Sequence, residues 1–387
     1  MAGRRGNGEG SIYLRESDGK WCATVDLGWA NGKRRRKVIY GKTRKEVAEK
    51  LKVTLRDQQQ GLPVASDRQT VEQFLERWLV DVAAPKLRAS TYVSYQGKCK
   101  LYIIPAIGRI PLLKLEPQQV QAMMNGMTKR GLSPRTVQYT RAILRKALNQ
   151  ALKWGIVGRN VAALTEAPRV ERPEIIVLDP EQASRLLDTV KGDRLEALYA
   201  VALALGLRQG EALGLRWQDV DLDTGTLRVR VSLQQLSGQP PILVEPKTRQ
   251  SRRTLPIPQE VAAQLRAHRT RQIAERLRAG HAWQGEDWGL VFTNLVGEPL
   301  AKGTVIKQYK RHLAAAGLPV LRFHDLRHSC ASLLVAQGVH PRVVMEILGH
   351  STITLTMNTY SHVLPQAQRD ATNLMDRLFT TTAQAGD

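Results

Sequence analysis

Four separated segments in the C-terminal half of this 387-residue sequence carry side chains suited to work on a phosphate. In Leu205-Gly206-Leu207-Arg208-Gln209-Gly210-Glu211, a turn closes one helix and Arg208 and Glu211 open the next at i, i+3 spacing. A guanidinium there can grip a phosphate through two parallel hydrogen bonds while the carboxylate orients a neighbour. Taken alone, an Arg–Glu pair on a helix is ordinary surface decoration. The run Glu245-Pro246-Lys247-Thr248-Arg249, continuing to Arg253-Thr254-Leu255-Pro256, reads as a hairpin with an extended approach, a polar turn and a returning strand. Lys247 near that turn is a mobile cation able to protonate a leaving oxygen, or equally one charge of a generic basic turn. His324-Asp325-Leu326-Arg327-His328 opens a helix whose Ala331, Leu333, Leu334 and Val335 predict burial, with His324 and Arg327 on a common face. Finally, Ile347-Leu348-Gly349-His350 is followed ten residues later by Tyr360, within Met357-Asn358-Thr359-Tyr360-Ser361-His362.

Several other chemistries have partial signals here. His324 and His328 have the i, i+4 spacing of a helical zinc pair, but no glutamate lies between them and Arg327 on the same face repels a cation. Gly41-Lys42-Thr43 ends like a phosphate loop, yet position 36 is Arg where that motif requires Gly. Asp219-Val220-Asp221-Leu222-Asp223 begins like a calcium loop, yet Thr224 and Arg230 stand where Gly and Glu are needed. Gly6-Asn7-Gly8-Glu9-Gly10 reads as a flexible lead-in because no strand precedes it. The expectation is a reaction with neither metal nor nucleotide cofactor.

The charge balance says what such a site would act on. Lys and Arg number 58 against 35 Asp and Glu, a formal charge of +23, which repels itself unless a polyanion neutralises it. Nucleic acid fits best. An anionic membrane fits less well, since no run approaches the roughly 18 consecutive apolar residues of a spanning helix and the N-terminus lacks a signal-peptide core. Cys22, Cys99 and Cys330 are odd in number and far apart, so neither a disulfide framework nor a cysteine zinc site is expected. A reducing, cytoplasmic compartment follows.

The elements that must position these residues are partly visible. Residues 11 to 41 alternate polar and apolar in three bursts separated by Asp18-Gly19 and Asn31-Gly32, both hairpin signals, so three short antiparallel strands are predicted. Thr43 then precedes one helix to Gln60, stopped by Gly61-Leu62-Pro63. Within residues 1–66 there are 15 Lys and Arg against 7 Asp and Glu, concentrated at Lys33, Arg34, Arg35, Arg36 and Lys37. That sheet suits DNA phosphate or groove contact, or else is a solvated basic hairpin. Thr70 and Gln73 form a capping box ahead of a helix carrying Val71, Phe74, Leu75, Trp78 and Leu79, and further helices are predicted over 90–103, 117–129 and 134–154. The stretch Glu166 to Glu174 is rich in Pro and charge and reads as a linker. Beyond it Asp179-Pro180 starts a third region of long helices with one strand group between about 226 and 256.

Taken together, Arg208, Lys247, the His324–Arg327 pair, His350 and Tyr360 resemble, in order and spacing, the active-site signature of the tyrosine recombinase (phage integrase) family. The resemblance covers roughly residues 70 to 380. Residues 1–66 look like the small arm-site DNA-binding module of many such integrases. The resemblance implies a multidomain α+β protein: a three-stranded sheet plus helix (1–66), an all-helical, SAM-like core-binding domain (67–166), and a mostly helical catalytic domain with a small antiparallel sheet and a C-terminal tail (167–387). It implies that Tyr360 attacks a DNA phosphodiester to give a 3′-phosphotyrosine, with Arg208, Arg327 and His350 on the phosphate oxygens, His324 as base, Lys247 as acid and Glu211 in support. Implied partners are attachment-site DNA, core and arm, a homotetramer on that DNA, a DNA-bending host factor and an excisionase. The implied setting is a prokaryotic nucleoid, and the implied role is integration or excision of a phage or mobile element. A helix from Gln366 to Leu378 would dock on a neighbouring protomer or fold back on its own domain. Rival readings are an idle DNA-binding regulator on the same scaffold and a type IB topoisomerase-like enzyme.

Overall fold

Asp18 and Gly19 reverse the chain between the first two strands, Gly19 at φ +65° with its N–H on the Arg15 carbonyl at 2.9 Å. The computed structural model describes residues 11–30, 33–59, 69–171, 175–236, 238–246, 249–349 and 372, and the chain divides into two compact units, Met1–Arg172 and Pro173–Asp387. β1 (Ser11–Arg15), β2 (Lys20–Ala30) and β3 (Lys33–Gly41) pair antiparallel in that order. Alternation buries Ala23, Val25 and Ile39, which pack on Val47 and Leu51 of α1 (Arg44–Gln59). Thr43 starts that helix, its Oγ1 accepting from the Glu46 N–H at 3.2 Å. The Asn31-Gly32 turn lies outside the described residues, as do the side chains of Lys33, Arg34 and Arg35; Arg36 is exposed and Lys37 half-buried.

The predicted capping box opens α2 (Val71–Trp78), Thr70 Oγ1 accepting from the Gln73 N–H and Gln73 Oε1 from the Thr70 N–H. Two of the helices run differently from expectation. α2 continues through a π turn at Leu79–Ala83 into α3 (Ala84–Lys86), and α4 (Ala89–Lys98) continues through a π turn at Cys99–Ile103 into α5 (Ile104–Ile107). Each π turn ends two residues ahead of a proline, Pro85 or Pro105, whose missing N–H breaks the i→i−4 ladder and whose ring needs the extra room. α6 (Pro117–Lys129) and α7 (Pro134–Lys153) start at proline as predicted, and Ser133 Oγ caps α7 on the Thr136 N–H. Phe74, Trp78, Ile103, Met124, Ile143 and Leu144 fill the core of this helical region.

In the second unit, Asp179 and Gln182 box the start of α8 (Pro180–Thr189), and the apolar α9 (Glu196–Leu205) is buried almost all round. α10 (Gln209–Leu213) follows. Then come β4 (Val220–Asp221), β5 (Thr226–Val229), β6 (Ser232–Gln234), β7 (Ile242–Val244) and β8 (Arg253–Pro256). The long helices α11 (Gln259–Ala279), α12 (Lys302–Ala315), α13 (Asp325–Ala336) and α14 (Pro341–Leu348) close the unit.

The strands correct two expectations. Among the described residues there are two small sheets here, β4-β5-β8 and β6-β7, where one group was expected. Among the described residues the strands on either side of Lys247 also do not pair with each other as the expected hairpin requires: β7 pairs with β6, while β8 pairs with β5 so that Leu255 meets Leu227. Both leucines are buried, as is Val229, so core burial rather than local turn geometry chooses the partner of β8. The tail helix expected over 366–378 lies outside the described residues except for Thr372.

Candidate active site

The site is assembled from helix ends. α9 stops at Gly206, left-handed at φ +59°, where a Cβ would lie 2.5 Å from Leu348 Cδ2. Only glycine lets α9 end this close to α14. The chain then extends through Arg208, the N-cap of α10, and the first turn folds Glu211 back onto it. Glu211 Oε1 accepts from Arg208 Nη1 at 2.7 Å and Oε2 from the Arg208 N–H at 3.1 Å. Glu211 is 4% exposed, whereas the Arg208 side chain keeps 36% of its surface open to solvent. That arrangement presents the guanidinium and hides its anchor.

Arg327, in the first turn of α13, is buried and donates from Nη1 to the Gly206 carbonyl at 2.7 Å. Arg208 donates from Nη2 to the Gly349 carbonyl at 3.1 Å, and Gly349 ends α14 in the left-handed region. Arg327 is therefore anchored on the turn that leads two residues later to Arg208, and the residue just before His350 is held on Arg208. Lys247, His350 and Tyr360 themselves lie outside the described residues.

His324 stands immediately ahead of α13, and its ring stands edge-on to His328 with centroids 5.1 Å apart. Burial, then the neighbouring Arg327, pushes the His324 imidazole below its ordinary value; Asp325 opposes, and Arg208 and Arg322 add to the depression. His324 is thus a neutral imidazole at neutral pH, able to accept a proton. His328 is pushed further, to about 4, by burial and by His324. No cluster of three or more His, Cys, Asp or Glu side chains able to hold a metal occurs among the described residues.

Glu211 runs opposite to a lone buried carboxyl. Burial raises its pKa, but Arg253 and then Arg208 outweigh that, and the net direction is down. Arg253 was not singled out from the sequence. Its Nη2 donates to Glu211 Oε2 at 3.1 Å, its Nη1 to the Ser251 carbonyl at 3.1 Å and its Nε to the Ile347 carbonyl at 2.6 Å. A legible signal existed: with period 2, position 253 falls on the inward face with Leu255 and Ile257. Beside it, Arg216, Arg228, Arg230 and Arg252 line a cleft of about 710 Å³ together with Glu245. A pair of guanidiniums, a neutral imidazole and a ring of arginines suit an anion that gains charge as it reacts.

The comparisons with known proteins agree with the sequence. The phage integrase family matches residues 177–367, and the phage integrase N-terminal SAM-like domain matches residues 70–128. The chain is 32% identical to a tyrosine recombinase XerC-like protein of Caldanaerobacter subterraneus subsp. tengcongensis, over 95% of this chain and 98% of that one. It is also 32% identical to an integrase of Streptomyces ambofaciens, over 98% of both. The fold is similar to the Tn1549 transposon integrase in complex with transposon right end DNA, at a TM-score of 0.66 and 22% identity, covering 80% of this chain and 99% of that one. A lambda integrase dimer bound to a core site gives a TM-score of 0.56 and 19% identity over 92% of this chain and 96% of that one.

Proposed function

The chain belongs to the phage integrase family of tyrosine recombinases, and from that premise we propose how its own residues cut and rejoin DNA. Tyr360 is the nucleophile. A phenol with pKa near 10 is protonated at neutral pH, so its attack on phosphorus needs a base, and the neutral His324 takes that proton. The Tyr360 oxygen bonds to phosphorus, the bond to the 5′-oxygen breaks, and Lys247 protonates the departing oxygen. The products are a 3′-phosphotyrosine and a free 5′-hydroxyl, and attack by the hydroxyl of a second strand reverses the step. One phosphoester replaces another, so the exchange is close to energetically neutral. Arg208 and Arg327 stabilise the charge that builds on the non-bridging oxygens, and His350 adds a hydrogen bond.

The observation that carries this reading is that Arg327 is anchored on the carbonyl of Gly206, two residues before Arg208, while Arg208 holds the Gly349 carbonyl. His350 follows directly in the chain. Residues 1–66 are read as the arm-site module, 67–166 as the core-binding domain and 167–387 as the catalytic domain, with Lys33 to Lys37 on arm DNA and the arginine cleft on backbone phosphates. The working assembly is a homotetramer on attachment-site DNA at the host nucleoid, aided by a bending protein and an excisionase, and the outcome is integration or excision of a mobile element. Among the described residues no helix is long and apolar enough to cross a membrane.

The test is Tyr360→Phe. The variant is expected to bind attachment-site DNA like the wild type while forming no covalent protein–DNA adduct on denaturing gels. Adducts that persist in the variant remove Tyr360 from the role of nucleophile.

A further inference from the structure

Arg253 opens β8 and has no part in the steps above. Strand alternation turns it inward with Leu255 and Ile257, leaving its side chain 7% exposed. A charge that far from water persists only where acceptors surround it. The three it meets come from three separate pieces of the fold: Glu211 in the first turn of α10, the Ser251 carbonyl just ahead of β8, and the Ile347 carbonyl in the last turn of α14. The Glu211 oxygen it holds is the one that also accepts from the Arg208 N–H. Arg208 in turn holds the Gly349 carbonyl. The end of α14 is therefore gripped twice, Ile347 by Arg253 and Gly349 by Arg208, and the two arginines are locked together by one carboxylate. Gly349 is packed so closely that a Cβ would lie 3.2 Å from Arg253 Nη1.

We infer that Arg253 is a positioning residue for strand cleavage, keeping Glu211, and through it Arg208, in register with the turn from which the chain runs on to His350 and Tyr360. The inference rests on the recombinase reading above. Arg253 acts through Arg208 and the α14 turn, not on the phosphate. Lysine is a poor substitute, because a single ammonium on a flexible stem does not reproduce a planar fork with three acceptors around it.

The experiment uses the full chain and a nicked duplex copied from the genomic junctions beside the gene, so that cleavage is trapped as adduct. Single-turnover traces give an amplitude, which counts competent molecules, and a rate constant, which reports their chemistry. For Arg253→Gln the expected result is DNA affinity within about threefold of wild type and a cleavage rate constant lowered by about 10²-fold, the scale of an ångström-sized misplacement. Arg253→Lys is expected between the two. A merely structural role lowers the amplitude and leaves the rate constant alone, and that result overturns the inference, as does a rate constant within threefold of wild type. Should Arg253→Gln fail to fold, Arg253→Lys decides on the same terms: a slowed rate constant supports the inference and an unchanged one overturns it. A wild-type chain that forms no adduct overturns the functional reading as well, which keeps the two failures apart.

Discussion

Glu211 illustrates how a site charge is held by its surroundings. It is buried between two guanidiniums, and its direction of shift is set by Arg253 and Arg208 winning over burial. Glu211→Gln keeps the shape and removes the charge, leaving two arginines with no anion between them. Loss of one partner from a buried ion pair typically destabilises by about 3–5 kcal/mol, so a clear drop in the denaturant midpoint is expected. Because the folded carboxyl titrates below its unfolded value, its contribution is present above the ordinary carboxyl range and is lost as pH falls through the folded value. The variant should accordingly show a shallower loss of stability in acid than the wild type; an identical acid limb would mean that Glu211 carries no linked charge. The role proposed for His324 sets the pH dependence of chemistry in a different way. As a base it must be neutral, and its pKa lies below the usual histidine value, so the cleavage rate should stay flat from neutral pH down past about 6.5 and fall only in more acid solution. A pH–rate profile with its acid inflection above 6.5 would assign the base elsewhere. Local i, i+3 spacing pairs Arg208 with Glu211 and His324 with Arg327, and the family resemblance draws them together, whereas the contacts of Arg253 depend on acceptors 42 and 94 positions away.

At the scale of elements, the glycine that ends α9 is as consequential as any charged residue. Gly206→Ala would force a side chain into the left-handed region, about 1–2 kcal/mol for an L-residue, and drive its Cβ toward Leu348 Cδ2 at 2.5 Å. Calorimetry should show a lowered Tm, and cleavage should fall further than the stability loss explains, since Arg208 and the Arg327 contact both hang on this turn; a stable and fully active variant would sever that link. Helix starts were legible because a capping box announces one at Thr70 and a cap followed by proline announces those at Ser133 and Asp179. The π turns were not, because helical periodicity runs straight through them and only the later proline hints at a slip. The partner of β8 was missed for a related reason. Local turn chemistry is read from neighbouring residues, but β8 is claimed by Leu227 and Val229 on β5, which burial selects and local sequence does not reveal.

For the whole molecule, the excess of 23 positive charges is a statement about partners. Each phosphate that a Lys or Arg neutralises releases condensed counterions, so log K should fall linearly with log salt, at a slope of about −0.9 per phosphate contacted. The β1–β2–β3 sheet with α1 packs its own small core of Ala23, Val25, Ile39, Val47 and Leu51, separate from the cores of the other regions. Deleting residues 1–66 should therefore leave the remainder folded while removing an excess of 8 positive charges, 15 less 7. The expected result has two parts. Core-site cleavage survives, because Arg208, Arg327 and Tyr360 remain, and the salt dependence of binding to DNA carrying both core and arm sites becomes shallower, because the arm phosphates are no longer met. Integration between distinct attachment sites should then fail, since nothing joins arm DNA to core DNA. A truncated chain that integrates normally and keeps the full salt slope would reduce Lys33 to Lys37 to a solvated basic strand, and the DNA contacts would have to be sought on the catalytic unit, starting with the arginine cleft beside β8.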